Sequence, residues 1–465
     1  MNTFRGSRRR ALQYLSAGAV ASALPGITRA AAERPPNIVF IMADDLGYAD
    51  LSCYGRRDYR TPHLDRLAAA GLKLTQAYSN SSVCSATRCG LATGRYQYRL
   101  PVGLEEPNTV KSELGLPAAH PTLASLLRAS GYRTALIGKW HLGNNPSLGP
   151  LRHGYDHFFG IHGGAADYFT HENAVPASGK TDLYENEERV RRQGYLTELL
   201  TAEALAEIGR NAGKRQPFLL SLHHTAPHWP WEAADDEAVS RSLSSIFHGD
   251  GGSLETYARM VASLDDGVGR VLTELARRDL DRNTLVVFTS DNGGERFSDT
   301  WPFTGMKGEL LEGGIRVPAL VRWPAHIAAG GVSDQVNVTM DWLPTLLAAA
   351  GAAPDGAYPP DGENLLPVLT GALATHPRTL YWRHKAHEQQ AMRSGDWKYL
   401  KIGGNEFLFD LKQDPRERAN LKDRERQRFE RMKGEWAQWN ESMLPYPPES
   451  TSLSQKNPVR AADRY

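Results

Sequence analysis

Short apolar runs alternate with amphipathic stretches along most of the chain. The apolar runs cover residues 38–42, 134–137, 217–222 and 284–288, and each is bounded by Gly, Pro or acidic residues. Such short bounded runs are typical of buried strands. Between them, apolar residues recur at helical spacing in 61–71, 122–131 and 254–277. This alternation predicts an α/β fold with a large, mostly parallel sheet flanked by helices.

The pattern changes near residue 376. Short alternating runs at 379–382, 390–393, 397–400 and 407–409 are separated by the turn pairs Ser394-Gly395 and Gly403-Gly404. They predict a smaller antiparallel sheet, and the charged segment 424–439 predicts a helix that closes it. We therefore expect a large α/β domain over residues 33–375 and a smaller C-terminal α+β subdomain over residues 376–465.

The first 32 residues have the features of an export signal rather than of a folded domain. Arg8, Arg9 and Arg10 precede a mildly apolar stretch, and the small residues Ala30-Ala31-Ala32 follow it. This order resembles a twin-arginine signal that is removed after export, so we expect a periplasmic or secreted protein. A disordered basic tail on a cytosolic protein is the alternative.

Charge and composition exclude several classes of partner. The chain carries 54 basic and 53 acidic side chains, a formal net charge of +1, so no bulk field attracts nucleic acid or a membrane surface. Outside the signal, no segment has the ~18 uninterrupted apolar residues of a membrane helix. The three cysteines, Cys53, Cys84 and Cys89, are too few for a disulfide framework. A bridge between Cys53 and Cys89 is left open.

Ionic or metal-binding side chains follow each of the four predicted strands. Ligands of open α/β sheets bind beyond the carboxyl ends of the strands. A capping or turn role would explain one such group but not four. The side chains in question are Asp44 and Asp45, Lys139 and His141, His223, His224 and His228, and Asp291 and Asn292.

The acids and the amide at two of these ends offer only oxygen ligands. Asp44-Asp45 and Asp291-Asn292 suit a hard cation, calcium or magnesium, better than zinc. Adjacent carboxylates would repel each other without a cation, so a metal site is the simpler interpretation.

The segment 83–95 carries the strongest chemical signal. A helix from Cys84 to a stop at Gly94 places Cys84 and Arg88 one turn apart. The N-terminus of a helix is also a natural anion site. Taken alone, the pair would be a buried cysteine beside a surface arginine.

A family resemblance gives this pair a meaning. The sequence from Cys84 to Arg95 resembles the sulfatase signature Cys-x-Pro-Ser-Arg-x-x-x-Leu-x-Thr-Gly-Arg, with Ala86 in place of Pro, Thr87 in place of Ser and a second cysteine at 89. Further motifs of that family occur in order at 44–47, 138–143, 226–228, 290–293, 305–308 and 312–318. The resemblance covers essentially the whole chain after the signal.

The resemblance implies an alkaline-phosphatase-like fold and a formylglycine made from Cys84 by a maturation enzyme. One hydroxyl of the hydrated aldehyde attacks sulfur and forms an enzyme-bound sulfate ester, and deprotonation of the other expels sulfate. By position, one Ca²⁺ would be held by Asp44, Asp45, Asp291, Asn292 and modified Cys84. The residues around the sulfate would be Arg88, Lys139, His141, His228 and Lys307.

The residue types suit these roles. We expect His141 to take the proton in the elimination and His228, with Lys307, to protonate the leaving alcohol. Arg88, Lys139 and Lys307 would stabilise the charge on the sulfuryl oxygens.

The sequence thus predicts a sulfatase that acts on a sulfated sugar or an aryl sulfate. Its expected partners are that substrate and the maturation enzyme, with no nucleic acid and no membrane. Two alternatives stay open: a formylglycine-dependent phosphonate monoester or phosphodiester hydrolase, and a non-catalytic glycan-binding homologue with unmodified Cys84.

Other polar groups resemble sites without the same support. The pair Asp265-Asp266 is interpreted as a solvated or salt-bridged helix face, and His223 and His224 as loop or supporting residues. Contacts to the leaving group and ordinary loop roles are both open for His162, Asp167 and His171.

Overall fold

The structure, a computed structural model, describes residues 34–108, 113–174, 177–242 and 251–452. The predicted export signal lies outside these residues. The chain from Pro35 onward forms one compact unit, and the boundary proposed at residue 375 stays a prediction.

A mixed sheet of eleven strands dominates the described part of the chain, and β5 and β6 form a separate hairpin. The spatial order is β12-β2-β11-β10-β1-β9-β3-β4-β7-β8, with β13 also paired to β2. The strands are β1 (Asn37–Ala43), β2 (Leu72–Tyr78), β3 (Arg133–Lys139), β4 (His157–Ile161), β5 (Glu172–Ala174), β6 (Ala177–Thr181), β7 (Leu183–Glu185), β8 (Glu188–Arg189), β9 (Phe218–His223), β10 (Thr284–Ser290), β11 (Arg316–Arg322), β12 (Gly331–Ser333) and β13 (Asn337–Val338).

The four strands predicted from the sequence are neighbours in the centre of this sheet. β10, β1, β9 and β3 pair in parallel, and every residue of β9 and β10 is buried, as expected for strands covered on both faces. The register sets Ala43 opposite Ser290 and Met42 opposite His223. The carboxyl ends therefore lie side by side at one edge, and the predicted mostly parallel sheet is confirmed.

Helices cover both faces of the sheet, and the side chains of β1 pack against helices on each face. Val39 and Ile41 pack into one core with α1, α4 and α6, whereas Phe40 and Met42 pack into a second core with α3 and α8, because side chains alternate along a strand. No described helix is long and apolar enough to span a membrane. The helices are α1 (Pro62–Ala69), α2 (Cys84–Thr93), α3 (Leu123–Ala129), α4 (Leu196–Asn211), α5 (Glu237–Ser240), α6 (Leu254–Arg277), α7 (Glu312–Ile315), α8 (Trp342–Ala349), α9 (Leu366–Leu369) and α10 (Arg426–Glu441).

The C-terminal antiparallel sheet is also confirmed. It consists of β14 (Thr379–His384), β15 (Gln389–Ser394), β16 (Trp397–Ile402) and β17 (Asn405–Asp410). One face shares an apolar core with Tyr78 and Leu310 of the large domain. The other face packs against Met432 and Trp436 of α10. The Trp382 indole donates a hydrogen bond to the Ser79 carbonyl at 2.9 Å, beside the start of α2.

Candidate active site

The predicted metal ligands meet at the edge where β1 and β10 end. Asp44, Asp45, Asp291 and Asn292 are each at most 2% exposed. The Asp45 amide donates to Asp291 Oδ1 at 3.2 Å, and Asn292 Nδ2 donates to Asp45 Oδ1 at 2.7 Å. Parallel pairing of the two strands therefore brings together groups almost 250 residues apart in the chain.

Helix α2 brings Cys84 and Arg88 to the same edge. Cys84 is the first helical residue, and Gly94 ends the helix in the left-handed region at φ 67°, where glycine is favoured. Arg88 donates from Nη2 and Nε to Asp291 Oδ2 at 2.8 and 3.1 Å. It also donates from Nη1 to the Lys139 carbonyl at 3.0 Å. Arg88 is thus a buried cation tied to two strand ends rather than a surface arginine.

Two lysines pair with the two remaining carboxylates. Lys139 Nζ lies 2.5 Å from Asp44 Oδ2, and Lys307 Nζ lies 2.7 Å from Asp45 Oδ2. Burial opposes the charged form of Lys307, but Asp45 and Glu295 outweigh it and raise the pKa of Lys307 well above its ordinary value. Lys307 therefore remains cationic near neutral pH.

The C-terminal sheet supports the loop that carries Lys307. The Gly308 amide donates to the Ser82 carbonyl at 2.9 Å, and Gln389 Nε2 of β15 donates to the Gly308 carbonyl at 2.8 Å. The position of Lys307 therefore depends on both sheets.

The carboxylates respond unequally to this crowding. Burial and the adjacent Asp44 raise the pKa of Asp291 to about 6, although Arg88 opposes the rise. Burial also works to raise the pKa of Asp45, but the charge of Lys307 and the adjacent His228 outweigh it, and the pKa is lowered.

The tautomers of the two candidate histidines follow from their hydrogen bonds. His141 Nε2 lies 2.8 Å from the Asn108 carbonyl and His228 Nδ1 lies 2.5 Å from the Trp229 carbonyl. A carbonyl only accepts, so these two nitrogens carry hydrogen. His141 Nδ1 is buried and has no partner among the described residues, while His228 Nε2 lies 3.5 Å from Asp45 Oδ2.

Both imidazoles are neutral without a bound anion. Burial and the charge of Lys139 lower the pKa of His141 well below its ordinary value. Burial and the charge of Lys307 do the same to the pKa of His228. Neutral His141 can accept a proton at Nδ1. An anion bound nearby favours protonation of His228, which a proton-donating role requires.

The residues at the edge fit a hard divalent cation. Cys84 Sγ and one carboxylate oxygen each from Asp44 and Asp291 lie within 4.8 Å of one another. Two further oxygens, Asp44 Oδ1 and Asn292 Oδ1, are buried and accept no hydrogen bond from the described residues. Unpaired buried oxygen atoms are costly, and oxygen ligands are those that calcium prefers.

The charges of the site also favour an anionic substrate. Three buried carboxylates and three buried cations cancel, so a divalent ion would leave a net charge of about +2. The cluster consists of Asp44, Asp45, Asp291, Arg88, Lys139 and Lys307.

The remaining polar groups take structural positions, with one correction. Asp265 is not on a solvated face: it is 2% exposed and accepts the amides of His63 and Leu64 at 3.1 and 2.7 Å, at the start of α1. Asp266 is exposed, 3.9 Å from Arg270. Asp167 accepts turn amides at 2.9 and 2.6 Å.

The histidines beside the site are likewise buried or bound to backbone. His171 Nε2 lies 3.0 Å from the Gly194 carbonyl, and His223 Nδ1 lies 3.4 Å from the Lys139 carbonyl. His162 and His224 are buried. Cys53, Cys84 and Cys89 are free thiols.

The sequence reasoning missed Glu295. Burial, together with Asp45, raises its pKa to about 7 against the opposing charge of Lys307. Its carboxylate accepts a hydrogen bond from the Trp229 side chain, next to His228. The available signal was its position directly after Asp291-Asn292-Gly293-Gly294.

Comparisons with known proteins show the family of the chain. The model of the sulfatase family matches residues 36–352, and a model described as the C-terminal part of N-sulphoglucosamine sulphohydrolase matches residues 306–438. The chain is 35% identical to human N-acetylgalactosamine-6-sulfatase, over 78% of this chain and 73% of the relative. It is 34% identical to human arylsulfatase A, over 84% of each.

Solved structures share the fold. The crystal structure of Ps i-CgsB in complex with k-i-k-neocarrahexaose has a TM-score of 0.81 and 31% identity, covering 91% of this chain and 96% of that one. The phosphonate monoester hydrolase of Agrobacterium radiobacter has a TM-score of 0.62 at 21% identity, covering 87% and 95%. At that identity the likeness concerns the fold alone.

Proposed function

This chain belongs to the sulfatase family and is a sulfuric ester hydrolase, and from that premise we propose that it releases sulfate from a sulfated sugar through a formylglycine made from Cys84. The observation that carries the proposal is the meeting of Cys84 and Arg88 with buried acids and lysines at one sheet edge. Relatives named N-acetylgalactosamine-6-sulfatase and a neighbour in complex with k-i-k-neocarrahexaose support a sulfated glycan as substrate.

Calcium is the proposed metal, one ion per chain. Asp44, Asp45, Asp291, Asn292 and modified Cys84 would hold it, and the unpaired oxygens of Asp44 and Asn292 support this set. When bound, the ion supplies a Lewis acid that polarises a sulfate oxygen and favours deprotonation of a nearby hydroxyl.

The chain's own residues would bind the sulfate and move protons. Arg88, Lys139 and Lys307 supply three cations fixed by buried carboxylates, so they need little reorganisation when negative charge develops. His141 accepts a proton at Nδ1, since its Nε2 is held by the Asn108 carbonyl. His228 donates from Nε2 to the leaving alcohol once the bound anion favours its protonated form.

The modification is tested by the mass of tryptic peptide 74–88, which contains Cys84 and no other cysteine. Protein from its native host should contain the aldehyde or its hydrate. Cys84→Ala should lose sulfate release, whereas Cys53→Ala, outside the site, should keep it. A peptide found only as the thiol in an active enzyme contradicts the proposed nucleophile.

The reaction is tested with matched 4-nitrophenyl esters. We expect sulfate release to exceed hydrolysis of the phosphate and phenylphosphonate esters, and EDTA to abolish it until calcium is restored. Predominant phosphorus ester hydrolysis would instead assign the chain to the phosphonate or phosphodiester hydrolases. Absence of any turnover, with an unmodified Cys84, would favour a glycan-binding role.

Export is proposed from the twin-arginine-like segment alone. The double variant Arg8→Lys/Arg9→Lys should remain in the cytoplasm, while the unaltered chain should be recovered from the periplasm or the medium. Equal distribution of both proteins contradicts this localisation.

A further inference from the structure

A wide groove adjoins the candidate site and takes no part in the roles assigned above. Its volume is about 940 Å³. It is lined by the segment 54–58, which follows β1, and by the segment 296–302, which follows β10, together with Leu254. Both segments continue from the strand ends that carry the buried acids, so the groove lies at the same edge of the sheet.

One turn, residues 295–298, contributes residues to both the candidate site and the groove. Its first residue, Glu295, accepts the Trp229 side chain and lies beside Lys307, and the Trp229 ring is 4.6 Å from the His228 ring. The next two residues, Arg296 and Phe297, line the groove. The turn therefore connects the leaving-group side of the site to the groove.

The turn is held rigidly against the strand ends. The Ser298 amide donates to the Glu295 carbonyl at 2.9 Å. A Cβ on Gly47 would approach Ser298 Oγ to 2.1 Å, and a Cβ on Gly294 would approach it to 1.8 Å. Only glycine permits this contact at either position, so the groove wall is packed directly on the segments that carry the metal ligands.

The groove presents two exposed arginines, and each of its two acids accepts a hydrogen bond from a neighbouring group. Arg57 is exposed and has no carboxylate partner among the described residues. Arg296 is exposed, with its guanidinium 4.9 Å from the Phe297 ring. In contrast, Asp58 binds Arg56 at 2.6 Å, and Asp299 Oδ1 accepts the Trp301 amide at 2.8 Å. Arg57 is therefore the groove cation that can take an anionic ligand without breaking an ion pair among the described residues.

An exposed aromatic face completes the groove. Trp301 is 59% exposed, and the Arg416 guanidinium lies 5.1 Å from its ring. Single exposed aromatic residues are common on proteins. An exposed indole in a concave site beside exposed arginines is a different case. The indole can pack against the apolar face of a sugar ring, while guanidinium groups bind sulfate oxygens through two parallel hydrogen bonds.

We propose that this groove binds a second sulfated sugar of a glycan whose scissile sulfate ester lies at Cys84. The inference rests on the proposed function, since it assigns the remainder of the same substrate. Binding of a second sulfated sugar in the groove makes the enzyme selective for glycans with sulfate on more than one sugar. Arg57 and Trp301 are its specificity residues, and they act by binding rather than by chemistry.

Binding is tested on calcium-loaded Cys84→Ala protein, which does not turn over its ligand. The probes are di- and hexasaccharides of ι-carrageenan and of chondroitin 6-sulfate, measured by calorimetry. We expect a hexasaccharide of at least one series to bind roughly tenfold more tightly than its disaccharide, the gain typical of one additional charged contact. Adding Arg57→Ala or Trp301→Ala should remove that gain, and raising the salt concentration should weaken it.

Arg60→Ala is the matched control, because Arg60 is exposed in the same loop but does not line the groove. It should keep the full gain with length. Thermal midpoints of all variants show whether each is folded. Equal affinity for short and long probes in both series overturns the proposal. The proposal is also overturned if the hexasaccharide still binds more tightly than the disaccharide in both Arg57→Ala and Trp301→Ala.

Steady-state kinetics of sulfate release distinguish a failure of this inference from a failure of the proposed function. In the enzyme with intact Cys84, the ratio of kcat/KM for the hexasaccharide to that for 4-methylumbelliferyl sulfate should fall roughly tenfold in Arg57→Ala, through KM. No sulfate release from either the hexasaccharides or the aryl ester by the unaltered enzyme would contradict the proposed function itself. Aryl sulfate turnover with an unchanged ratio would contradict only the groove.

Discussion

Replacing Arg88 by methionine tests the charge balance of the site. The Arg88 side chain is 2% exposed and makes two hydrogen bonds to Asp291 Oδ2, at 2.8 and 3.1 Å, and one to the Lys139 carbonyl at 3.0 Å. Methionine has a similar length but no donors. The substitution therefore leaves the Asp291 carboxylate buried beside Asp44 without its cation.

The expected size of the effect follows from this burial. Removing one partner of a buried ion pair costs about 3–5 kcal/mol, and solvent does not screen a pair this inaccessible. We expect that loss of unfolding free energy in EDTA. A calcium ion returns positive charge to Asp44 and Asp291 and stabilises the folded state by mass action, so the loss should be smaller in excess calcium. Sulfate release should fall about 10²–10³-fold.

Urea unfolding, followed by tryptophan fluorescence with and without calcium, measures the first effect, and ion chromatography of released sulfate measures the second. Arg128→Met is the control: its side chain is 49% exposed and 3.9 Å from Asp156, so the change should stay below about 0.5 kcal/mol. A loss below about 1 kcal/mol for Arg88→Met in EDTA would refute the charge balance described here.

Three further predictions concern the support of the site. Asp265→Ala should lower the free energy of unfolding in urea by about 1–3 kcal/mol, because it leaves two helix amides without an acceptor. Asp266→Ala should change that free energy by less than about 0.5 kcal/mol. Equal effects of the two substitutions would contradict the capping role of Asp265. Lys398→Met should lower the free energy of unfolding by about 3–5 kcal/mol, because buried Lys398 lies 3.0 Å from Glu312 and 2.8 Å from Glu417. An unchanged free energy of unfolding would show that the three groups are not charged together. Burial raises the pKa of Glu417 from 4.5 to about 7, so its contribution to stability is fully present below pH 4.5 and is lost as the pH rises through about 7. Glu417→Gln should flatten the fall in unfolding free energy between pH 5 and 8, and an unchanged slope would contradict this pKa.

Local patterns predicted much of the fold. The four apolar runs became β1, β3, β9 and β10, with bounds within three residues of the sequence estimate. Helix α2 begins at Cys84 and is capped by Gly94 as expected. These features depend on periodicity and on turn chemistry within about ten residues, which a sequence displays directly.

Contacts between segments distant in the chain were harder to predict from the sequence. Strands β10 and β11 pair antiparallel, as do β11 and β2, and no local pattern in the sequence indicates that direction. Asp265 was expected on a solvated or salt-bridged helix face, but α1 packs against α6 and its first amides donate to that carboxylate. In both cases the deciding contact is with a segment distant in sequence, which periodicity within one element does not specify.

The sequence by itself determined the candidate groups for the chemistry: the cysteine and arginine one helical turn apart, the acids after two strands, and the lysines and histidines after others. Only the tertiary structure decided how their charges are balanced. Arg88 binds Asp291, Lys139 binds Asp44 and Lys307 binds Asp45, because parallel pairing sets the strand ends side by side. The structure also decided that Glu295 and the arginine-lined groove lie next to the site. Their positions depend on a turn packed against two glycines, a contact between chain segments that no local pattern encodes.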